Sequence, residues 1–458
     1  MNEEELVRVK SIKISGLFGL YIHYVNLNDD RVTIIHGPNG VGKTVFLKLT
    51  HAFISGRYAE FAKVRFDNFE VMFSDGSVAE LISVRPLEKN TADSITVKFT
   101  DSRGQSAQAE LQGDALNIQK QASDLADTLP YITQMGPDEF VDRTSEELMN
   151  AELLISQYGD ANPRARAKLT SKEPKGLRTL RNRIKSHFIE AQRLIRMSHL
   201  SGPEWRYRGT SSRMTETVRA YSDDLKAQVD ATLAEYAKQS QKLDQTFPQR
   251  LIEGNIQPFS LELLKSEMQR VENARIRLRL IGLLDRGDEA QNPYPLQISQ
   301  LDSLDATQIS VMSVYARDTA TKLSVMDGLA SRIELLLNIL NKKFTNKTVG
   351  ILRESGLVVT GPDDQIIAVN ALSSGEQHEI VLLYDLLFKT TPNTLVLIDE
   401  PELSLHVSWQ RSFLDDLLEV IKLAHFDVLL ATHSPYIVGD RSDLMAVLSS
   451  IQPSVKFE

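Results

Sequence analysis

The chain has 458 residues, 42% hydrophobic and 25% charged, an ordinary globular balance with length enough for two or three folding units. It contains no cysteine, which excludes disulfides, thiolate metal sites and a zinc hook and agrees with a reducing cytoplasmic home. The net charge of -9 argues against a uniformly basic nucleic-acid binder, and no run approaches the roughly 20 apolar residues of a membrane span, so a soluble protein without membrane contact is expected.

From the N-terminus, residues 7 to 36 alternate in short apolar and polar runs that end in Val32 to Ile35, directly before a glycine-rich loop and a helical pattern. Residues 66 to 111 read as strands broken at Ser74-Asp75-Gly76 and Asp101-Ser102-Arg103-Gly104, an antiparallel lobe. A short strand, Tyr131 to Gln134, follows. Residues 138 to 186 read as helical and loop-rich, Ser186 to Leu194 as a further strand, and the pattern then stays helical to about 344.

Two stripes in that stretch fall on alternating three and four spacings. One runs through Val218, Leu225, Val229, Tyr236, Leu243 and Phe247, the other through Leu323, Met326, Ala330, Ile333, Leu337, Leu340 and Phe344. They predict either a protruding pair of long helices or the core faces of a helical insertion. Beyond 348 come a hairpin around Gly361-Pro362-Asp363-Asp364, a helix from Gly375, a strand Thr394 to Ile398, a helix and a strand Phe426 to Ala431. The expected organisation is α/β, with segments 1–137, 138–344 (carrying one strand near 187–194) and 345–458.

Gly37-Pro38-Asn39-Gly40-Val41-Gly42-Lys43-Thr44 is a G-x-x-x-x-G-K-T loop set between strand and helix, as its chemistry requires. Its backbone N–H groups can turn inward around phosphates, Lys43 neutralises the outer ones, and Thr44 offers a hydroxyl to magnesium; the loop alone fits kinases, GTPases and many ATPases, and the C-terminal motifs make ATP with Mg2+ the expected ligand. Thr394 to Glu400 is an apolar strand ending in two carboxylates: Asp399 suits a magnesium ligand and Glu400 the base beside the attacking water. Side chains alternate along a strand, so both can face one site only if the strand ends near Asp399; Pro401 agrees with that.

Leu372-Ser373-Ser374-Gly375-Glu376-Gln377 opens a helix, where Ser373, Ser374, Gly375 and Glu376 suit either anion binding or an ordinary helix cap. Thr432-His433-Ser434-Pro435 closes the last strand, and His433 there can donate to a terminal phosphate or orient a water.

Together these motifs resemble those of ABC-type ATPases of the OLD-like and SMC-like class, over roughly residues 5–195 and 345–440. The most specific parts are Asp399-Glu400-Pro401-Glu402-Leu403-Ser404-Leu405-His406 and Leu372-Ser373-Ser374-Gly375-Glu376. The resemblance implies an ATPase head with an antiparallel β lobe and an inserted helical or coiled-coil arm. It implies a homodimer through the heads, in which Ser374 and Gly375 reach nucleotide held by the other subunit, with assembly into a higher oligomer open. Residues 401–406 with Trp409-Gln410 are similar to the linker that crosses such an interface. The family also has a glutamine at the strand entering the arm, for which Gln192 and Gln134 both qualify.

Within the class the chain is similar to the ATPase subunits of bacterial anti-phage systems such as PARIS and Septu, which implies a separate effector, often a nuclease. OLD nucleases continue into a nuclease domain past the histidine, whereas only 23 residues follow Pro435 here (458 minus 435). A DNA-clamping ATPase of repair or chromosome maintenance, similar to RecF, is the alternative. Arg164 to Arg196 holds eleven Lys or Arg against Glu173 and Glu190, a basic stretch suited to DNA phosphates, an acidic protein, or plain solvation.

Overall fold

A computed structural model describes residues 7–84, 94–113, 117–143, 147–158, 170, 172–190, 195–198, 213–253, 257–284, 298–403 and 405–448. Along the chain come β1 (Val9–Leu17), β2 (Tyr21–Asn26), β3 (Val32–His36), α1 (Lys43–Ser55), α2 (Ala59–Ala62), β4 (Asn68–Phe73), β5 (Val78–Val84), β6 (Ser94–Thr100) and β7 (Ser106–Gln112). Then follow α3 (Ile118–Ala126), β8 (Ile132–Gly136), β9 (Glu139–Asp142), β10 (Glu147–Met149), α4 (Ala151–Tyr158), α5 (Lys175–Arg181), β11 (Lys185–Ile189), β12 (Ile195–Ser198) and β13 (Arg213–Glu216). Helices α6 (Thr217–Glu253), α7 (Leu261–Leu280), α8 (Ala306–Ser324) and α9 (Asp327–Lys343) precede β14 (Thr348–Leu352), β15 (Gly356–Thr360), β16 (Ile366–Ile367) and α10 (Ser374–Tyr384). The chain closes with β17 (Thr394–Asp399), α11 (Val407–Ala424), β18 (Asp427–Ala431), α12 (Pro435–Val438) and β19 (Met445–Val447).

Two compact units form: residues 1–215 with 388–458, and residues 216–387. The first is α/β. Its central sheet runs β11-β17-β18-β3-β19 with every pairing parallel. The apolar runs Thr394–Asp399 and Asp427–Ala431 are buried at every position, the pattern of strands covered on both faces. Parallel order sends the C-terminal ends of β3, β17 and β18 to one edge, and that edge collects the chemical residues.

A six-stranded antiparallel sheet, β2-β1-β4-β5-β6-β7, forms the expected lobe. Its turns are as the sequence reads: Asp75 Oδ1 accepts from the Ser77 N–H at 2.9 Å, and Asp101 Oδ1 accepts from the N–H groups of Arg103 and Gln105. Both sheets and α1 share one hydrophobic core through Phe46, Phe53, Phe69, Leu397 and Leu429.

Residues 138 onward depart from the helical expectation. Glu139–Asp142 is a strand that pairs with β8, Glu147–Met149 pairs in turn with it, and the three strands enclose a small core with α3 and α4 around Leu125, Phe140 and Leu154. This subdomain belongs to the first unit, which is why the second unit starts near 216 and not at 138. β11 ends at Ile189, short of the expected Leu194; residues 191–194 lie outside the described residues.

In the second unit α6 carries the first stripe on one face, with Val218, Leu225 and Val229 fully buried and Tyr236, Leu243 and Phe247 half-buried. Its partner is α8: Arg250 binds Asp318 through two hydrogen bonds of 2.5 and 2.6 Å, and Lys322 reaches Asp244 at 2.6 Å. The second stripe does not pair with the first. Ala330, Ile333, Leu337 and Leu340 on α9 are buried where α9 packs against β14 and α10, so this stripe is a core face. The β14-β15-β16 sheet and α10 pack with these helices, which carries the unit past 344 to Leu387. No helix among the described residues is long and apolar enough to cross a membrane.

Candidate nucleotide site

Glycine makes the loop after β3 feasible. Gly40 and Gly42 take φ values of +83° and +91°, in the left-handed region that side chains disfavour. A Cβ on Gly42 would also stand 2.8 Å from Leu17 Cδ2 and 3.0 Å from Phe18 Cε2. The helix α1 that follows has Gly42 as its N-cap, no side-chain cap and no acidic residue in its first turn, so its N-terminal dipole is uncompensated by the chain. His23, fully buried, donates from Nε2 to the Val41 carbonyl at 2.7 Å and pins the loop from below.

Lys43 is folded onto the loop itself, donating to the carbonyls of Gly37 at 2.8 Å and Pro38 at 3.1 Å. Burial pushes its ammonium pKa down, with Glu400, Asp399 and Glu402 opposing. Thr44 Oγ1 donates to Asp399 Oδ1 at 3.1 Å, across the width of β18. Asp399 is 6% exposed; burial raises its pKa, while the Thr44 bond and Lys48 act the other way.

The strand ends at Asp399. Glu400 then takes φ +45° and its N–H donates to the Ala431 carbonyl at 2.9 Å. That left-handed residue breaks the alternation, which is how two successive carboxylates serve one edge of the sheet. His433 stands between the two halves of the site, its Nδ1 3.5 Å from Lys43 Nζ and its Nε2 3.6 Å from Glu400 Oε1. Residues from 37 to 44, 399 to 400 and 433 thus converge.

Gln192 lies outside the described residues. Gln134 is exposed on β8, in the separate three-stranded sheet, and its Nε2 donates to the Gly136 carbonyl at 2.9 Å. By contrast β11 is the direct parallel neighbour of β17, with Ile189 opposite Ile398.

Ser373, Ser374, Gly375 and Glu376 belong to the second unit. Ser373 caps α10 and forms a capping box with Glu376: the Ser373 N–H donates to the Glu376 carboxylate at 2.9 Å, and Ser373 Oγ accepts from the Glu376 N–H at 3.4 Å. Lys347 donates to both Glu376 oxygens at 2.8 and 2.9 Å. Burial works against the Glu376 charge, yet Lys347 and Ser373 hold its carboxyl below the ordinary carboxylate range. Ser373 and Glu376 therefore do the capping, while Ser374 is exposed and Gly375 half-buried at the helix start.

The basic stretch is less uniform than its sequence. Arg181 is buried, paired with Glu173 at 2.5 Å, donating to the Tyr58 hydroxyl at 2.9 Å and lying over the Phe53 and Tyr58 rings. Arg178 donates to the carbonyl of Thr170. Lys172, Lys175, Arg183 and Lys185 are exposed. Residues 159–169, 171 and 191–194 are outside the described set.

Sequence reasoning missed Phe18, Lys48, Glu190 and Glu402. Phe18 reaches the loop only because β1 and β2 turn it there, and Lys48 pairs with Glu190 at 3.8 Å from a different strand. The one available signal was that Lys48 sits one helical turn beyond Thr44. Among the described residues no group of three or more His, Cys, Asp or Glu gathers as a metal cage. Thr44 and the under-compensated Asp399 offer the oxygen donors that would hold a divalent cation here.

The profile of a family described as "AAA ATPase domain" matches residues 8–438. Among solved structures the chain is similar to an Smc head domain with an extended coiled coil, bound to the C-terminal domain of ScpA, from Pyrococcus furiosus. That match has 12% identity and a TM-score of 0.35, and covers 97% of this chain and 94% of the other. An SMC head domain from Thermotoga maritima matches at 11% identity and TM-score 0.34, covering 97% and 96%. No curated protein matches.

Proposed function

Because this chain belongs to the AAA ATPase domain family, we propose that its first unit binds ATP with Mg2+ and hydrolyses it, and that the nucleotide cycle serves as a switch. The Thr44–Asp399 hydrogen bond carries the reading, since it brings the phosphate loop and the acidic strand end to one point. Magnesium bound there would offset negative charge on the phosphates. The N-terminal amides of α1 and the Lys43 ammonium bind the phosphates, Lys43 exchanging its two loop carbonyls for phosphate oxygens. Glu400 accepts the proton of the attacking water, and His433, facing both Lys43 and Glu400, orients that water against the terminal phosphate. The glutamine that the family resemblance implies beside the cation would be Gln192, which follows β11 in sequence, with Gln134 as its rival.

Ser374 and Gly375, left free of the capping box, bind the nucleotide of a second copy, so head dimerisation completes the site. The dimer regulates a separate effector, a nuclease, in defence against phage. The DNA-clamping alternative draws support from exposed Lys172, Lys175, Arg183 and Lys185. The test is to isolate the native complex carrying Glu400→Gln with ATP, measure its mass and identify every chain. A stoichiometric nuclease establishes the effector reading, a bare dimer carrying DNA replaces it with the clamp, and a monomer that binds no ATP overturns both. Lys43→Ala, as a control, abolishes nucleotide binding.

A further inference from the structure

Glu402 is the second carboxylate after the strand end, two residues past the base Glu400, and it does not join Asp399 and Glu400 in the cleft. Its Oε1 accepts from two successive backbone N–H groups, that of His433 at 2.6 Å and that of Ser434 at 3.2 Å. Its Oε2 is buried with no hydrogen-bond partner among the described residues. The grip is reinforced from α11. Gln410 Oε1 accepts from the Ser434 hydroxyl at 2.7 Å, while Gln410 Nε2 donates to the Leu405 carbonyl at 3.0 Å. Thr432, fully buried, takes the Ser434 N–H on its Oγ1 at 2.9 Å. The histidine's main chain is therefore fixed by Glu402, with Gln410 holding the next residue, while its ring is left facing Lys43 and Glu400 at 3.5 and 3.6 Å.

We infer that Glu402 is a positioning residue for hydrolysis, holding His433 through its backbone amide and tying the histidine's placement to the linker 401–406. This deepens the ATPase reading and rests on it. A carboxylate shared by two main-chain donors makes charge-assisted bonds that set position more firmly than a neutral acceptor, and neither donor has side-chain freedom to escape. The Glu402 hydrogen bonds go to the main chain of His433 and Ser434 and not to the phosphate loop, so binding and turnover respond differently. A misplacement near 1 Å at a reacting group costs up to about 100-fold in rate. Substrate affinity, set at 37–44, is unaffected.

The experiment compares Glu402→Ala, Glu402→Gln, His433→Ala and the double variant Glu402→Ala with His433→Ala in full-length protein. Glu402→Ala is expected to lower kcat about 10-fold to 100-fold with KM for ATP within about 3-fold of wild type. Glu402→Gln keeps an acceptor oxygen and restores kcat to within about 3-fold of wild type. The double variant turns over no more slowly than His433→Ala alone, because both substitutions disable one unit. In nucleotide-free protein, amide hydrogen exchange at 433 quickens in Glu402→Ala and stays protected in Glu402→Gln, while 434 keeps its bond to Thr432. Glu402→Gln as slow as Glu402→Ala, penalties that multiply in the double variant, a raised KM, or unchanged exchange each overturn the inference. A wild-type protein without ATPase activity overturns the ATPase reading instead, and the exchange data then decide by themselves whether Glu402 holds His433.

Discussion

Thr44 Oγ1 donates to Asp399 Oδ1 at 3.1 Å, joining residues 355 positions apart in sequence. Asp399 ends β17, and Thr44 lies in the first turn of α1, which the glycine loop joins to β3; β18 lies between those two strands, so the hydrogen bond reports that the sheet order is correct. It also sets the electrostatic tension of the site, because it alone does not compensate a buried carboxylate.

Burial holds the Asp399 carboxyl above its ordinary value of 3.8, so the folded chain favours the protonated form. The stability this group lends is complete below the unfolded value and is lost as pH rises through the higher folded one. At neutral pH the ionised carboxylate therefore weighs against the nucleotide-free fold. Asp399→Asn keeps an acceptor for Thr44 and removes the charge. It should melt higher than wild type at pH 7 without magnesium, by on the order of 1 kcal/mol, with the gap closing toward pH 4. Its Mg-ATP affinity should fall, which calorimetric titration measures.

Glu400 offers a separation of strain from chemistry. Its φ of +45° is disfavoured for a residue with a side chain, by about 1–2 kcal/mol. Glu400→Gly should melt at or above the wild-type temperature while hydrolysing ATP no faster than Glu400→Gln. Phosphate release and thermal melting on the same preparations check it; a Glu400→Gly protein with wild-type turnover removes the assignment of the base.

In the second unit α6 and α10 are joined by two tyrosine-to-carboxylate bonds in crossed register. Tyr221 donates to Asp385 and Tyr384 to Asp224, with the two rings stacked at 4.6 Å. Burial above all, and then Asp224, drives the Tyr384 hydroxyl pKa upward, so it stays a donor. Asp224→Ala removes the carboxylate that accepts from that hydroxyl and should cost about 1–3 kcal/mol. Tyr384→Phe removes donor and need together and should cost less, as denaturant melts will show.

Charge in the basic stretch divides by burial. Arg181→Ala breaks the buried ion pair with Glu173 and should destabilise the first unit by about 3–5 kcal/mol. Reversing Lys172, Lys175 and Lys185 to Glu should leave the fold intact, since all three are exposed. If DNA binds here, its affinity falls and the salt dependence flattens by about one unit of slope for each phosphate contact removed. Fluorescence anisotropy across a salt series reads both.

The sequence by itself determined the local chemistry: the glycine loop, the strand ending in Asp399 and Glu400, the capped helix at Ser373 and the histidine turn. Each depends on residue types a few positions apart, where backbone geometry and short-range hydrogen bonding decide the outcome. Strands β3, β17 and β18 were legible for a related reason, because they are short and mostly apolar runs. Only the tertiary structure decided which stripe was a seam and which a core face, since Leu337 and Leu340 have the same spacing in either role and differ in what packs on them. It alone set β11 beside β17, separated Arg181 from its solvated neighbours, and brought Glu402 to the amide of His433. Those placements follow from long-range packing over the whole chain, in which no short window of sequence records its partner.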